Sequence, residues 1–164
     1  MNHKLLVAVE GGMDSMATVT YAAKACAGAE VPEGGGMIIL HVLPPLLASV
    51  EGIEAAVVRK LASQIQADRR KTATTMLQEL KQRVIQEGVR PEIVATEVAE
   101  NSGGVLKQIL KTATRHGCDT IVVGRSDQSL LREFLAGSIV ERLLWKPIGF
   151  AIWIVERAPQ PKRQ

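Results

Sequence analysis

The chain has 164 residues, of which 46% are apolar, 23% charged and only 3% aromatic, with a formal charge of +3. That is enough for one domain with a real core and too little for two comfortable ones. Nucleic acid is not an expected partner, because several basic residues crowd into the tail Pro159 to Gln164 and no basic stripe is interleaved with aromatics. No apolar run approaches the ~20 residues of a membrane span, and no signal peptide precedes the first apolar run. Cys26 and Cys118 share neither a metal-ligand spacing nor a CxxC pattern, so a soluble protein of the reducing cytoplasm is expected.

Lys4 to Val9 is a short, continuously apolar run that ends at Glu10-Gly11-Gly12. It predicts a strand buried on both faces. Asp14 or Ser15 is the expected cap of the following helix, whose Met16, Val19, Ala23 and Cys26 fall at helical spacing and whose expected end is Gly28. A glycine-rich linker, Glu33-Gly34-Gly35-Gly36, leads into a second apolar strand, Met37 to Val42, closed by Pro44 and Pro45. Leu46 to Gly52 reads as irregular. From Ile53 to Glu87 a long helical pattern carries Val58, Leu61, Ile65, Met76, Leu80 and Val84 on one stripe. Arg69 interrupts that stripe, and Asp68-Arg69-Arg70-Lys71 predicts a solvated or kinked middle. Gly88 is the expected stop.

Ile93 to Val98 predicts a third strand, and Ser102 the cap of a helix bearing Val105, Ile109 and Ala113 that ends at His116-Gly117. The run Ile121-Val122-Val123, stopped by Gly124, predicts a fourth strand. After a polar loop, Gly137-Ser138 precedes an amphipathic run (Ile139, Val140, Leu143, Leu144) that Pro147 breaks, and Gly149 to Val155 reads as a fifth strand. Residues 1–156 are thus expected to form a single domain and 157–164 a disordered tail. Strict strand–helix alternation with right-handed crossovers predicts an α/β fold with an open, doubly wound five-stranded parallel sheet, a three-layer α/β/α sandwich of Rossmann-like kind. In such sheets ligands collect beyond the carboxyl ends of the strands, where strand order reverses. The candidates there are Glu10 to Ser15, Val42, and Gly124 to Ser138. A helix starting at Gly137-Ser138 would offer unpaired N–H groups and the positive dipole end to a phosphate; the same two residues would also serve as a plain N-cap.

The pattern G-x2-x-x9-G-S at Gly124, Asp127, Gly137 and Ser138, with V-A-V-E-G before a helix, L-H-V closing the second strand and G-C-D-T-I-V-V-G before the loop, resembles the universal stress protein family. The resemblance runs from about Lys4 to Val155. It implies the fold shared with adenine nucleotide alpha hydrolases and a module that binds ATP or AMP, with magnesium as an accompanying ion, and acts in stress response through its conformation or its partners. Nucleotide-binding members carry G-x2-G-x9-G-(S/T) and an aspartate after the first strand. By that resemblance Gly124, Gly137, Ser138 and Ile139 would handle the phosphates, with Asp127 in the same loop. Val42 would contact adenine through its main chain, Val123 would line the pocket, and Glu10, followed by Gly11 and Gly12, would approach the ribose or base. Two positions depart from the family pattern: Asp127 stands for a glycine and Glu10 for an aspartate. Asp tolerates left-handed backbone, but a carboxylate ~4 Å from a phosphate charge costs roughly 4 kcal/mol at an effective dielectric near 20. Magnesium, Arg125 and Arg132 would offset part of that cost.

Two other functions stay open at this point. Asp127 favours a nucleotide-free dimeric scaffold that works by protein contacts. Gly11-Gly12-Met13-Asp14-Ser15 resembles the phosphate loop of ATP pyrophosphatases, which adenylate a substrate, although their leading serine is here Glu10. The same five residues make a tight turn and a cap without any ligand. No Ser/His/Asp set, HExxH or P-loop lysine motif is present, and His41 reads as a structural histidine; at most weak ATP hydrolysis is expected. The resemblance implies a homodimer paired through the last strand, Gly149 to Val155, where Phe150, Ile152 and Ile154 alternate with Ala151, Trp153 and Val155 so that both faces are apolar.

Overall fold

The computed structural model describes residues 3–27, 35–44, 55–125 and 149–156. Five strands, β1 (Lys4–Ala8), β2 (Gly36–Val42), β3 (Val94–Ala99), β4 (Thr120–Arg125) and β5 (Ala151–Glu156), form one parallel sheet in the order β3-β2-β1-β4-β5. The chain steps outward from β1 to β3, then returns to the other side of β1, so strand order reverses between β1 and β4. This is the doubly wound α/β architecture expected from the strand–helix alternation. Among the described residues three α-helices cover it: α1 (Gly12–Cys26), α2 (Ala55–Gln86) and α3 (Val105–His116). The fourth helix expected from Gly137-Ser138, the linker from Gly28, the segment from Leu46 to Gly52 and the tail from Arg157 lie outside the described residues.

Side chains on successive strand residues point to opposite faces, and the core divides accordingly. Leu5, Val7, Met37, Ile39 and Val122 pack with Val19, Ala22 and Ala23 of α1 and with Leu77, Leu80 and Val84 of α2. Leu6, Ala8, Ile38, Leu40, Ile121 and Val123 pack on the other face with Ile109 and Ala113 of α3. A strand buried on both sides has no polar position to spare, which is why β1, β2 and β4 read as unbroken apolar runs.

The helix starts differ from expectation, and for one reason. α1 begins at Gly12 with Gly11 as its N-cap, so Asp14 and Ser15 lie within the helix and do not precede it. Ser15 nevertheless serves the start from inside, its Oγ accepting the Gly11 N–H at 2.8 Å. α3 begins at Val105 with Gly104 as N-cap, not at Ser102. The Ser102 hydroxyl instead accepts from Gln108 Nε2 at 2.8 Å. Both glycine caps have positive φ, 117° and 103°, which glycine adopts without the penalty of a Cβ. At the other end α3 stops at Gly117 in the left-handed conformation, as expected.

α2 runs 32 residues without a break, so Asp68 to Lys71 are an exposed stretch of continuous helix, the solvated form of the expected middle. At 1.5 Å per residue it is ~48 Å long, whereas strands of this length span only ~17–23 Å. The C-terminal half covers the sheet, and the N-terminal half stands beyond the carboxyl ends of the strands with Val57, Leu61 and Ile65 exposed. Two carboxylates fasten the edge strand to the helices on either side. Glu97 of β3 receives Arg115 and, at 2.8 Å, His116 Nε2 from the end of α3, and Glu100 just past β3 receives Arg70 of α2 at 2.6 Å. Burial raises the Glu97 carboxyl, but the hydrogen bonds from His116 and Arg115 outweigh it and hold it below its ordinary value. The Arg70 hydrogen bond likewise lowers Glu100. Among the described residues no helix is long and apolar enough to cross a membrane.

Candidate functional site

A cleft of about 390 Å³ opens beyond the carboxyl ends of β1 and β2. That volume falls within the range of ordinary small-molecule pockets. Ala8 and Leu40 form apolar floor, Val42 and Pro44 one rim, and Val105 and Ile109 of α3 a wall; Glu10 and Asn101 supply polar side chains. The rim is held by main chain, since Val9 N donates to Leu40 O and Leu43 N to Ala99 O, both at 2.9 Å. An apolar slot with a carboxylate and a carboxamide at its edge suits a flat, partly polar ring system.

His41 stands between this cleft and a second, shallower groove of about 460 Å³ against α2, which Glu10 also borders. Ile65, Asp68, Arg69, Thr72 and Met76 form the α2 side of that groove. The His41 Nδ1 lies 2.9 Å from the Val9 carbonyl oxygen. A carbonyl can only accept, so Nδ1 carries the hydrogen in this contact. His41 thus takes the structural part expected of it.

The turn from β1 into α1 is built by Gly11 and Gly12, with φ of 117° and 78°. Ser15 is buried and its hydroxyl is engaged by the Gly11 N–H, while Thr18 Oγ1 donates to Asp14 O at 2.8 Å. One amide that a phosphate loop would offer to a ligand is therefore spent on the turn itself, which favours the tight-turn reading of Gly11 to Ser15 over adenylating chemistry.

Of the candidate residues, Glu10 and Val42 come together in the cleft, and Gly11 and Gly12 continue from Glu10 into the turn. Val123 sits beside Ala8 in the sheet, fully buried in the core on the α3 face. Gly124 faces the opposite side, where an added Cβ would fall 2.4 Å from Thr18 Oγ1; its lack of a side chain lets α1 close on β4. Neither is among the described cleft-lining residues. Asp127, Gly137, Ser138 and Ile139 lie outside the described residues, as does Arg132. Asn101 is the cleft residue that sequence reasoning missed. Its signal was the N-S-G-G run, in which an Asn side chain bonds back to main chain a few residues on. Among the described residues no group of three or more His, Cys, Asp or Glu side chains is placed to hold a metal ion.

Several solved structures share this fold. The hypothetical protein MJ0577 aligns with a TM-score of 0.65 at 17% identity, over 98% of this chain and 100% of that one. A universal stress protein in complex with cAMP aligns at 0.56 and 15% identity, over 94% and 98%. The universal stress protein from Archaeoglobus fulgidus in complex with dAMP aligns at 0.52 and 16% identity, over 92% and 95%. At such identities the likeness is one of fold. No curated protein matches the chain in sequence. The sequence model of the universal stress protein family, however, matches residues 1–147, nearly the whole of a chain whose strand order and carboxyl-end cleft have just been described, and the chain belongs to that family.

Proposed function

We propose that the protein is an adenine-nucleotide-binding module of the cytoplasm that takes ATP or AMP and acts in stress response through its conformation or its partners. The observation that carries this reading is the cleft beyond β1 and β2, which brings Glu10 and Val42 to one apolar slot. Fold relatives with cAMP and with dAMP bound support it. In this reading the base enters the slot against the main chain of Val42, Glu10 accepts from ribose hydroxyls, and the phosphates run towards Gly124 and the segment holding Asp127, Gly137, Ser138 and Ile139, with magnesium as counter-ion. Titration calorimetry with Mg-ATP and with AMP tests it. Saturable heat in the micromolar range supports the module, and silence up to millimolar ligand leaves a scaffold that works by protein contacts.

We further propose that the chain pairs as a homodimer through β5. This edge strand exposes Ile152, Trp153 and Ile154, and Trp153 meets Tyr21 of α1 edge-on with ring centroids 6.5 Å apart. Among the described residues β5 is the last strand of the sheet, and an apolar edge of this kind invites a second strand. Analytical ultracentrifugation should give a dimer for the wild type and a monomer for Ile154→Lys; a monomeric wild type ends this part of the reading.

A further inference from the structure

We infer that Asn101 reads the base of the bound nucleotide and selects adenine over guanine; the inference rests on the adenine-nucleotide reading of the cleft. Ala99 is the strand partner of Val42, and its carbonyl accepts the N–H of Leu43 at 2.9 Å. Two residues beyond Ala99, Asn101 lines the same cleft as Val42 and Pro44, half-buried. Its carboxamide has a fixed sense. The Gly104 N–H lies 3.0 Å from Asn101 Oδ1, and because a main-chain N–H can only donate, the atom facing it must be the amide oxygen. The same bond ties the side chain to the start of α3, so turning the amide over would set its NH2 group against that N–H. Among the described residues neither Nδ2 hydrogen has an acceptor, and Oδ1 keeps a second lone pair.

Asn101 thus offers one donor and one acceptor, side by side and unable to trade places. That is the complement of adenine, whose N6 amino group donates while the adjoining ring nitrogen accepts. Guanine carries O6 where adenine carries the amino group, so in the same pose two acceptors would meet across Oδ1. A free asparagine would escape by flipping; this one is held. Val42 main chain, Glu10 and the apolar walls position the ring, and Asn101 decides which purine it is.

Asn101→Asp gives the clean test. It keeps the oxygen that caps Gly104 and the shape of the side chain but removes both Nδ2 hydrogens. Asn101→Ser, neutral and also able to accept from Gly104, is too short to present the amide's paired donor and acceptor, and so separates loss of that edge from gain of charge. Calorimetric titration with AMP, GMP, adenosine and guanosine is run on the wild type and both variants, with thermal melts on each. The expected result is a wild type that favours the adenine compounds. Both variants should lose roughly tenfold to a hundredfold in adenine affinity with the adenine-to-guanine ratio narrowed and the melting temperature kept. If both variants bind AMP and adenosine like the wild type, Asn101 is not the reader, although the cleft remains an adenine-nucleotide site. If only Asn101→Asp weakens AMP, and adenosine is unaffected, charge against phosphate is the cause and base reading is overturned. If the wild type binds none of the four, the nucleotide reading falls and this inference with it.

Discussion

His41 donates from Nδ1 to the main-chain oxygen of Val9, 2.9 Å away, and so joins the end of β2 to the exit of β1 directly under the cleft. The imidazole also separates the α3-side cleft from the α2-side groove, both of which it lines. One side chain therefore reinforces the main-chain bond from Val9 N to Leu40 O at these strand ends and divides the space beyond them.

His41→Ala removes the bond and the partition together. A single hydrogen bond of this kind contributes about 0.5–1.5 kcal/mol net, and in a domain of this size each kcal/mol moves the melting temperature by roughly 2–4 °C. A modest fall in melting temperature is expected alongside a much larger relative loss of AMP affinity. Differential scanning calorimetry and ligand titration on the same preparation check it. Unchanged affinity in a folded variant would show that the partition does not shape the site.

Gly124 and Thr18 form a second coupled pair. A Cβ at Gly124 would approach Thr18 Oγ1 to 2.4 Å, and that hydroxyl is committed to Asp14 O. Gly124→Ala should therefore destabilise by about 1–3 kcal/mol through overpacking. Thr18→Ala clears the space, so the double variant should lose less than the sum of the two single changes. Urea unfolding of all four proteins measures the coupling. Strict additivity would mean that α1 yields without strain and that the glycine is not needed for packing.

β1, β2 and β4 were legible in the sequence because burial on both faces leaves an unbroken apolar run, and Leu6, Ile39 and Val122 are each fully enclosed. Helix starts were not, because a search for hydroxyl and carboxylate caps passes over glycines that cap by backbone conformation alone. Gly11 and Gly104 do this, while Ser15 acts from one turn inside and Asn101 from outside. Within the site, Glu10 and Val42 were accessible to the rule that ligands gather past strand ends. Asn101 was not, because a polar loop residue has no period and its importance arises only when β3 is set beside β2. Gly124 was read for phosphate chemistry; the contact the fold adds is packing, the close approach of α1 through Thr18.

The carboxyl of Glu97 gives the protein an acid-side dependence whose sign follows from its partners. Hydrogen bonds from His116 and Arg115 outweigh the opposing effect of burial, so the folded-state pKa is lowered from the ordinary value of 4.5. A lowered carboxyl pKa contributes stability that is fully present above the unfolded-state value and is lost as pH falls through the folded-state value. Stability should be level with respect to this group near neutrality and should decline below about pH 4.5, where the clasp between β3 and α3 is protonated away. Glu97→Gln removes that part of the decline. The pair lies near the surface, so the difference at pH 7 is expected to be small, about 0.2–1 kcal/mol. Urea midpoints of the two proteins from pH 3 to pH 7 should converge in acid; parallel curves would assign the acid sensitivity to other carboxylates.

The two cysteines are expected to be inert in the folded protein and to differ from one another. Cys118 is buried against the core on the α3 face, and burial first, with Asp119 adding to it against the opposing Lys4, raises its thiol to about 11. Cys26, at the end of α1 and half-buried, is raised by burial as well. The thiolate is the reactive form. At pH 8 a thiol with a pKa near 11 is only about 0.1% ionised, against roughly a quarter for an unperturbed cysteine, so reaction at Cys118 should be slowed on the order of a hundredfold before any steric hindrance is counted. Labelling with a chromogenic disulfide reagent at pH 8 should modify Cys26 slowly and Cys118 more slowly still, while in urea both react within the same fast phase. Rapid modification of Cys118 in the native protein would mean that α3 lifts from the sheet often enough to ionise it. The wall of the cleft formed by Val105 and Ile109 would then be a moving one.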